Sequence, residues 1–171
     1  MTLLLLAGCG VTLTHIAVTG SSTATVEAGT LLEDLVGDLG FGEFVSMDLT
    51  EAQALQNQGV APEEISSAVL TDFTLTATSG ASDLSFLSAM DLSVEAEPYD
   101  VLRIAWSESF PKGSATVDFK TTGADIHEYV TSQAMTLTTD VTAHRPEEDT
   151  EVRGDWTVDV GVTTEGAVSN L

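Results

Sequence analysis

The run Met135-Thr136-Leu137-Thr138-Thr139-Asp140-Val141-Thr142-Ala143 decides the fold class, together with Trp156-Thr157-Val158-Asp159-Val160-Gly161-Val162 beyond it. Met135, Leu137, Val141 and Ala143 share one parity, while Thr136, Thr138, Asp140 and Thr142 hold the other. Successive side chains of a strand point to opposite faces, so this spacing describes a strand with one apolar face to bury. Trp156, Val158, Val160 and Val162 repeat the pattern. Threonine and valine branch at Cβ, which favours extended backbone over helix.

The same alternation extends upstream. Val69, Phe73, Leu75 and Ala77 fall mostly on one parity against Asp72, Thr74 and Thr76. Leu92, Val94 and Ala96 predict a strand ending near Pro98, and Leu102, Ile104 and Trp106 predict the next, after a turn at Tyr99-Asp100. Pro111-Lys112-Gly113 reads as a turn before a strand at Ala115, Val117 and Phe119. Leu84 to Leu87 reads as a turn or a single helical turn, and Pro146 to Asp149 as an acidic hairpin loop. Val11 to Ala28 reads as one long or two short strands, with His15 on the apolar parity and a bend at Gly20-Ser21-Ser22. Seven or so strands with one apolar face each imply a mainly β protein, a two-layer antiparallel β-sandwich of immunoglobulin-like architecture. The Cys…Trp…Cys pattern of antibody domains is absent, so the likeness is architectural, and an eight-stranded barrel is the alternative.

The period changes near residues 30–58. Leu31, Leu32, Leu35, Val36 and Leu39 have helical spacing, Thr30 with Glu33 forms a capping-box pattern, and Gly40 is a stop. Thr50 with Gln53 opens a second short helix through Leu55, which Gly59 and Pro62 end. The expectation is a short helical insert between the first strands and the rest. It covers one end of the sandwich or roofs an apolar cavity between sheet and helices.

The chain has 171 residues, which suits one domain. Its charge narrows the functions available. Twenty-seven acidic residues face five basic ones, a formal net charge of −22. Phosphate backbones require clustered Lys and Arg, so nucleic acid is excluded as a partner. The acidic surface fits a salty or calcium-rich medium, calcium ligation by some carboxylates, or a cationic partner. No stretch has the length of a transmembrane helix, and the single cysteine permits no intrachain disulfide.

Candidate chemistry is sparse. Asp125, His127 and Glu128 stand close together, but no second spaced histidine joins them, and a solvated loop explains them as well. No Gly-x-Ser-x-Gly motif is present to seat a nucleophile, and Gly37, Gly40 and Gly42 lack the spacing and the lysine of a phosphate loop. Glu147, Glu148, Asp149 and Glu151 form the densest acidic group, a weak calcium candidate without the Asp-x-Asp-x-Asp-Gly pattern; a charged loop tip is the plainer reading. His144 lies on the polar parity of its strand. Trp106 and Trp156 share parity with Ile104 and Val158, which predicts core positions.

The N-terminus reads Met1-Thr2-Leu3-Leu4-Leu5-Leu6-Ala7-Gly8-Cys9-Gly10. Leu6-Ala7-Gly8-Cys9 resembles the lipobox of bacterial lipoproteins, in which the cysteine is lipidated and becomes the mature N-terminus. The resemblance covers these four residues and the apolar run before them, and it specifies a processing route rather than a fold. It implies a signal segment at residues 1–8, a single domain over residues 9–171, lipid on Cys9, and export. Gly10 in place of Asp implies retention at the outer membrane. The apolar run is short and lacks Lys or Arg, so further residues are expected upstream of Met1. The functional expectation is a non-catalytic, lipid-anchored envelope protein acting as a structural or protein-interaction module, without a required cofactor. The alternative is a small-ligand or lipid-binding lipoprotein with an apolar cavity.

Overall fold

The computed structural model describes residues 12–29, 35–36, 55, 59–132 and 135–163. Among the described residues, nine strands form two antiparallel sheets: β1 (Thr12–Val26), β2 (Leu35–Val36), β3 (Ile65–Ser79), β4 (Leu87–Ala96), β5 (Tyr99–Ser107), β6 (Thr116–Asp118), β7 (Lys120–Thr121), β8 (Thr136–Ala143) and β9 (Thr150–Thr163). One sheet has the order β1-β9-β3-β6, the other β2-β8-β4-β5-β7. A single helical turn, α1 (His127–Val130), lies between β7 and β8.

The alternation predicted from sequence builds the core. In β8, Leu137, Val141 and Ala143 are buried, while Thr136, Thr138, Asp140 and Thr142 are exposed. Val152, Val158, Val160 and Val162 of β9 join Leu70, Phe73 and Leu75 of β3 in one cluster with Met90, Leu92, Val94 and Ile104 from the other sheet. Each fully buried Val or Leu contributes about 1.5–3 kcal/mol, so this layer is the main source of stability.

Four local readings change. Gly20-Ser21-Ser22 is no bend: β1 runs straight through it, and Gly20 pairs with Trp156. A Cβ at Gly20 would overlap the Trp156 indole, so the glycine serves the close approach of a cross-strand aromatic rather than a turn. Leu35 and Val36 form a strand on the edge of β8, opposite Ala143 and Thr142, instead of helix. The unpaired groups of that edge outweigh a weak helical preference interrupted by Gly37. Leu55 is helical and buried, as expected; the rest of the segment from Thr30 to Gln58 lies outside the described residues. Pro146 to Asp149 is not a hairpin, because it connects β8 in one sheet to β9 in the other.

The fourth change concerns Ala115 to Phe119, read as one strand. β6 pairs with β3 and β7 with β5, so the chain crosses between the sheets at Phe119. Ala115 is exposed. The Phe119 N–H donates to the Phe73 carbonyl at 2.9 Å. Its ring meets Phe73 and Phe110 edge-on, with centroids 4.9 Å and 6.0 Å apart.

Asp83 fastens the loop before β4 to the turn before β6. Its carboxylate accepts hydrogen bonds from the Gly113 N–H at 2.7 Å and the Ser85 N–H at 2.9 Å. The Gly113 bond first, then those from Ser85, lower its pKa from 3.8 to about 2. A depressed carboxylate pKa stabilises the fold above the unfolded value, and that contribution is lost as pH falls through the folded value. Asp83→Asn is expected to lower the melting temperature at pH 7, with the difference from wild type vanishing between about pH 4 and pH 2. Melting curves over that range check it.

Candidate functional site

The acidic group proposed for calcium starts where β8 ends and the chain crosses to the other sheet. Glu147, Glu148, Asp149 and Glu151 are exposed. Two of them already have protein partners. Asp149 accepts a hydrogen bond from the Ala28 N–H at 2.8 Å, and Glu151 accepts one from the Thr78 hydroxyl at 2.7 Å. Among the described residues, no three His, Cys, Asp or Glu side chains gather into a group that could hold a metal ion. Calcium favours six to eight converging oxygens. Adding millimolar calcium is therefore expected to leave the melting temperature where sodium chloride of equal ionic strength leaves it. A saturable rise with calcium alone would support the metal reading.

The histidines separate. His15 is exposed, not inward: the buried parity of β1 is that of Ile16 and Val18. Its Nδ1 lies 2.7 Å from the Asp159 carboxylate on the neighbouring strand. His144 is exposed, as its parity predicted. His127 sits in α1, with Nδ1 3.1 Å from Asp125 Oδ2. Asp125 has a structural duty, because its Oδ1 accepts from the Ala68 N–H at 2.8 Å and the His127 N–H at 3.0 Å. It thereby fastens α1 against β3, while Glu128 points to solvent. Cys9 lies outside the described residues; β1 begins shortly after it, at Thr12.

Trp156 packs against the core, half-buried. Trp106 does not follow Ile104 inward. A register shift between Leu92 and Ser93 opposes Ala105 to the first and Arg103 to the second. Ile104 and Ala105 are consequently both buried, and the parity beyond them inverts. Trp106 is turned towards two of the five basic residues. The Arg103 guanidinium lies 4.7 Å from its ring centroid and the Lys120 ammonium 5.9 Å. Asp91, opposite Trp106, accepts a hydrogen bond from Arg103 at 3.2 Å. Sequence parity concealed this cluster, since the signal for it is a bulge with no glycine or proline to mark it.

An open groove of about 350 Å³ crosses the four-stranded sheet. Thr19, Ser21, Asp72, Thr74, Arg153 and Asp155 line it, together with Trp156. Arg153 is held by Asp155, its Nε donating at 3.0 Å. Threonines tie neighbouring strands across this face: Thr74 donates to Asp118 at 2.9 Å, and the Thr76 and Thr116 hydroxyls lie 3.2 Å apart. The groove is polar and open, suited to contact with a hydrated surface rather than to enclosing a small apolar molecule.

No protein-family model matches the chain, and comparison with curated proteins finds no match.

Proposed function

We propose that the protein is a non-catalytic envelope module, held at the outer membrane by lipid on Cys9, that presents an acidic sheet face to another protein. The observation that carries this reading is the face of the four-stranded sheet bearing Asp72, Asp118, Asp155 and Asp159 among threonines. Anionic headgroups repel such a face, so in an anchored protein it turns away from the bilayer towards a partner with basic residues. The lipobox-like Leu6-Ala7-Gly8-Cys9 supports the anchor. Acyl chains contribute about 0.8 kcal/mol per buried methylene, and two or more hold a protein on a membrane stably.

Two measurements test the reading. Cells expressing the full gene product and fed a labelled fatty acid should label the protein, and Cys9→Ala should abolish both label and membrane association. Label that survives Cys9→Ala removes the anchor. Affinity capture from detergent-solubilised membranes through a C-terminal tag should then recover a partner that Asp72→Lys with Asp118→Lys releases. A partner retained by that variant would move the interaction to another surface.

The same charge sets a stability prediction. Self-repulsion weakens a fold of net charge −22, and salt screens it. The melting temperature is expected to rise as sodium chloride goes from about 0.01 M to about 1 M, where the Debye length falls from about 30 Å to about 3 Å. Calorimetry across that series checks it.

A further inference from the structure

The outer face of the five-stranded sheet differs in chemistry from the acidic face opposite it. Leu102 and Ile104 of β5 turn to the core, and Val101 and Arg103, on the other parity, turn outward. Val101 is 59% exposed, the most exposed large hydrophobic side chain among the described residues. Further along β5, the Trp106 indole has the Arg103 guanidinium over its ring and the Lys120 ammonium of β7 beside it. Asp91, Glu95 and Asp140 occupy the same face on β4 and β8. Contacts across the sandwich place the start of β5 at the end where β1 begins. Pairing runs from Ile16 of β1 through Val160 to Ala68 of β3. The Ala68 carbonyl accepts from the Ile126 N–H at 2.7 Å, and α1 follows, where the Tyr129 hydroxyl donates to the Asp100 carbonyl at 2.7 Å. Val101 is the next residue.

We propose that the outer face of β5 and β7 rests on the headgroup layer of a membrane built from zwitterionic lipid. The inference rests on the proposed anchor at Cys9 and adds how the body lies. Thr12 follows Cys9 by three residues, and three residues span at most about 10 Å, so an anchored chain holds this end of the sandwich at the headgroups. The outer faces of two packed sheets point in opposite directions, so turning the acidic face away sets β5 and β7 towards the lipid. Charge selects the headgroup. An anionic surface repels a body of charge −22, whereas a zwitterionic layer has no net charge to do so. Its phosphates suit Arg103 and Lys120, and its ammonium groups suit Asp91, Glu95 and Asp140. Half-buried Trp106 presents an amphipathic ring of the kind that settles at headgroup level, and the aliphatic stem of Lys120 lies along apolar surface while its charge stays wet. Tethering raises the local concentration, so a contact too weak to recruit a free chain is enough to orient an anchored one.

The single cysteine permits a test that does not depend on acylation in cells. The full chain is coupled through Cys9 to a maleimide-bearing lipid in vesicles of phosphatidylethanolamine and phosphatidylcholine, and in parallel to vesicles containing phosphatidylglycerol. Trp156→Phe leaves Trp106 as the only tryptophan. A spin label on the headgroups of the zwitterionic vesicles should quench Trp106 emission about twofold or more. On the anionic vesicles quenching should be weak at about 0.01 M salt and recover by about 0.5 M, as screening removes the repulsion. Val101→Glu with Lys120→Gln should remove most of the quenching on zwitterionic vesicles. Thr23→Glu with Thr25→Glu makes an equal change of charge on the exposed face of the other sheet and should leave it intact. Where Trp156→Phe alters the circular dichroism spectrum, the same two pairs are compared in the chain with both tryptophans. Unquenched Trp106, equal sensitivity to both pairs, or stronger quenching on the anionic vesicles at low salt overturns the contact. Absence of fatty-acid label on Cys9 in cells overturns the anchor instead, so the two failures are distinguishable.

Discussion

Replacing Phe119 with alanine is expected to lower the unfolding free energy by about 3–5 kcal/mol, the usual cost of emptying a buried aromatic site. Phe119 is 8% exposed and stands where the chain leaves one sheet for the other. Its ring contacts Phe73 and Phe110 edge-on, and its N–H is bonded to Phe73. The backbone there is held by both sheets, so the cavity has little freedom to collapse. Phe119→Leu keeps most of the volume and should cost less than about 1.5 kcal/mol. Urea unfolding of both variants checks the ordering. A loss below about 1 kcal/mol for alanine, outside the expected range, would mean that the corner is not held by this ring.

Gly80→Ala is expected to be comparably damaging for a different reason. Gly80 has φ +81° at the end of β3, and a Cβ there would press on the Asp149 carbonyl and Thr150 Cα. The left-handed backbone costs an L-residue about 1–2 kcal/mol, and overpacking against backbone adds about 1–3 kcal/mol. For a chain of this size each kcal/mol lowers the melting temperature by about 2–4 °C, so a fall of roughly 5–15 °C is expected. Thr150 explains why the neighbouring loop cannot yield. It is fully buried, its hydroxyl donates to the Glu148 carbonyl at 2.8 Å, and it accepts from the Ala81 N–H at 3.0 Å. Gly113→Ala is the control. Gly113 has φ +80° with nothing near its absent Cβ, so it should show the backbone cost alone. Equal melting temperatures for the two variants would refute the clash at Gly80.

The readings that held and those that failed divide on register. In β8 the alternation of Leu137, Val141 and Ala143 with threonine and aspartate was enough, because the one shift in its ladder with β4, between Leu87 and Ala89, places the extra residue on β4 and leaves the parity of β8 unbroken. In β5 the same logic sent Trp106 inward and failed, since the ladder with β4 shifts at Ser93. A bulge changes the parity of everything beyond it, and it arises from pairing with another strand rather than from the strand's own residues. The acidic loop after β8 was legible as a loop, yet its route between sheets was not, because a turn's composition does not say which strand comes next in space. His15 and Asp159 illustrate the same limit: they lie far apart in the chain and meet only through the β1–β9 register.

Composition and periodicity by themselves determined that this chain is mainly β, that its strands have one apolar face each, and that its surface is strongly acidic. Those properties follow from local side-chain geometry and charge, which each residue carries wherever it is placed. The tertiary structure alone decided the order of strands, the crossing at Phe119, the turning of Trp106 towards Arg103 and Lys120, and the position of β1 at an edge. Each of these depends on hydrogen-bonded pairing between segments distant in sequence. Such pairing is settled by the best joint burial of all the apolar faces, not by any one of them.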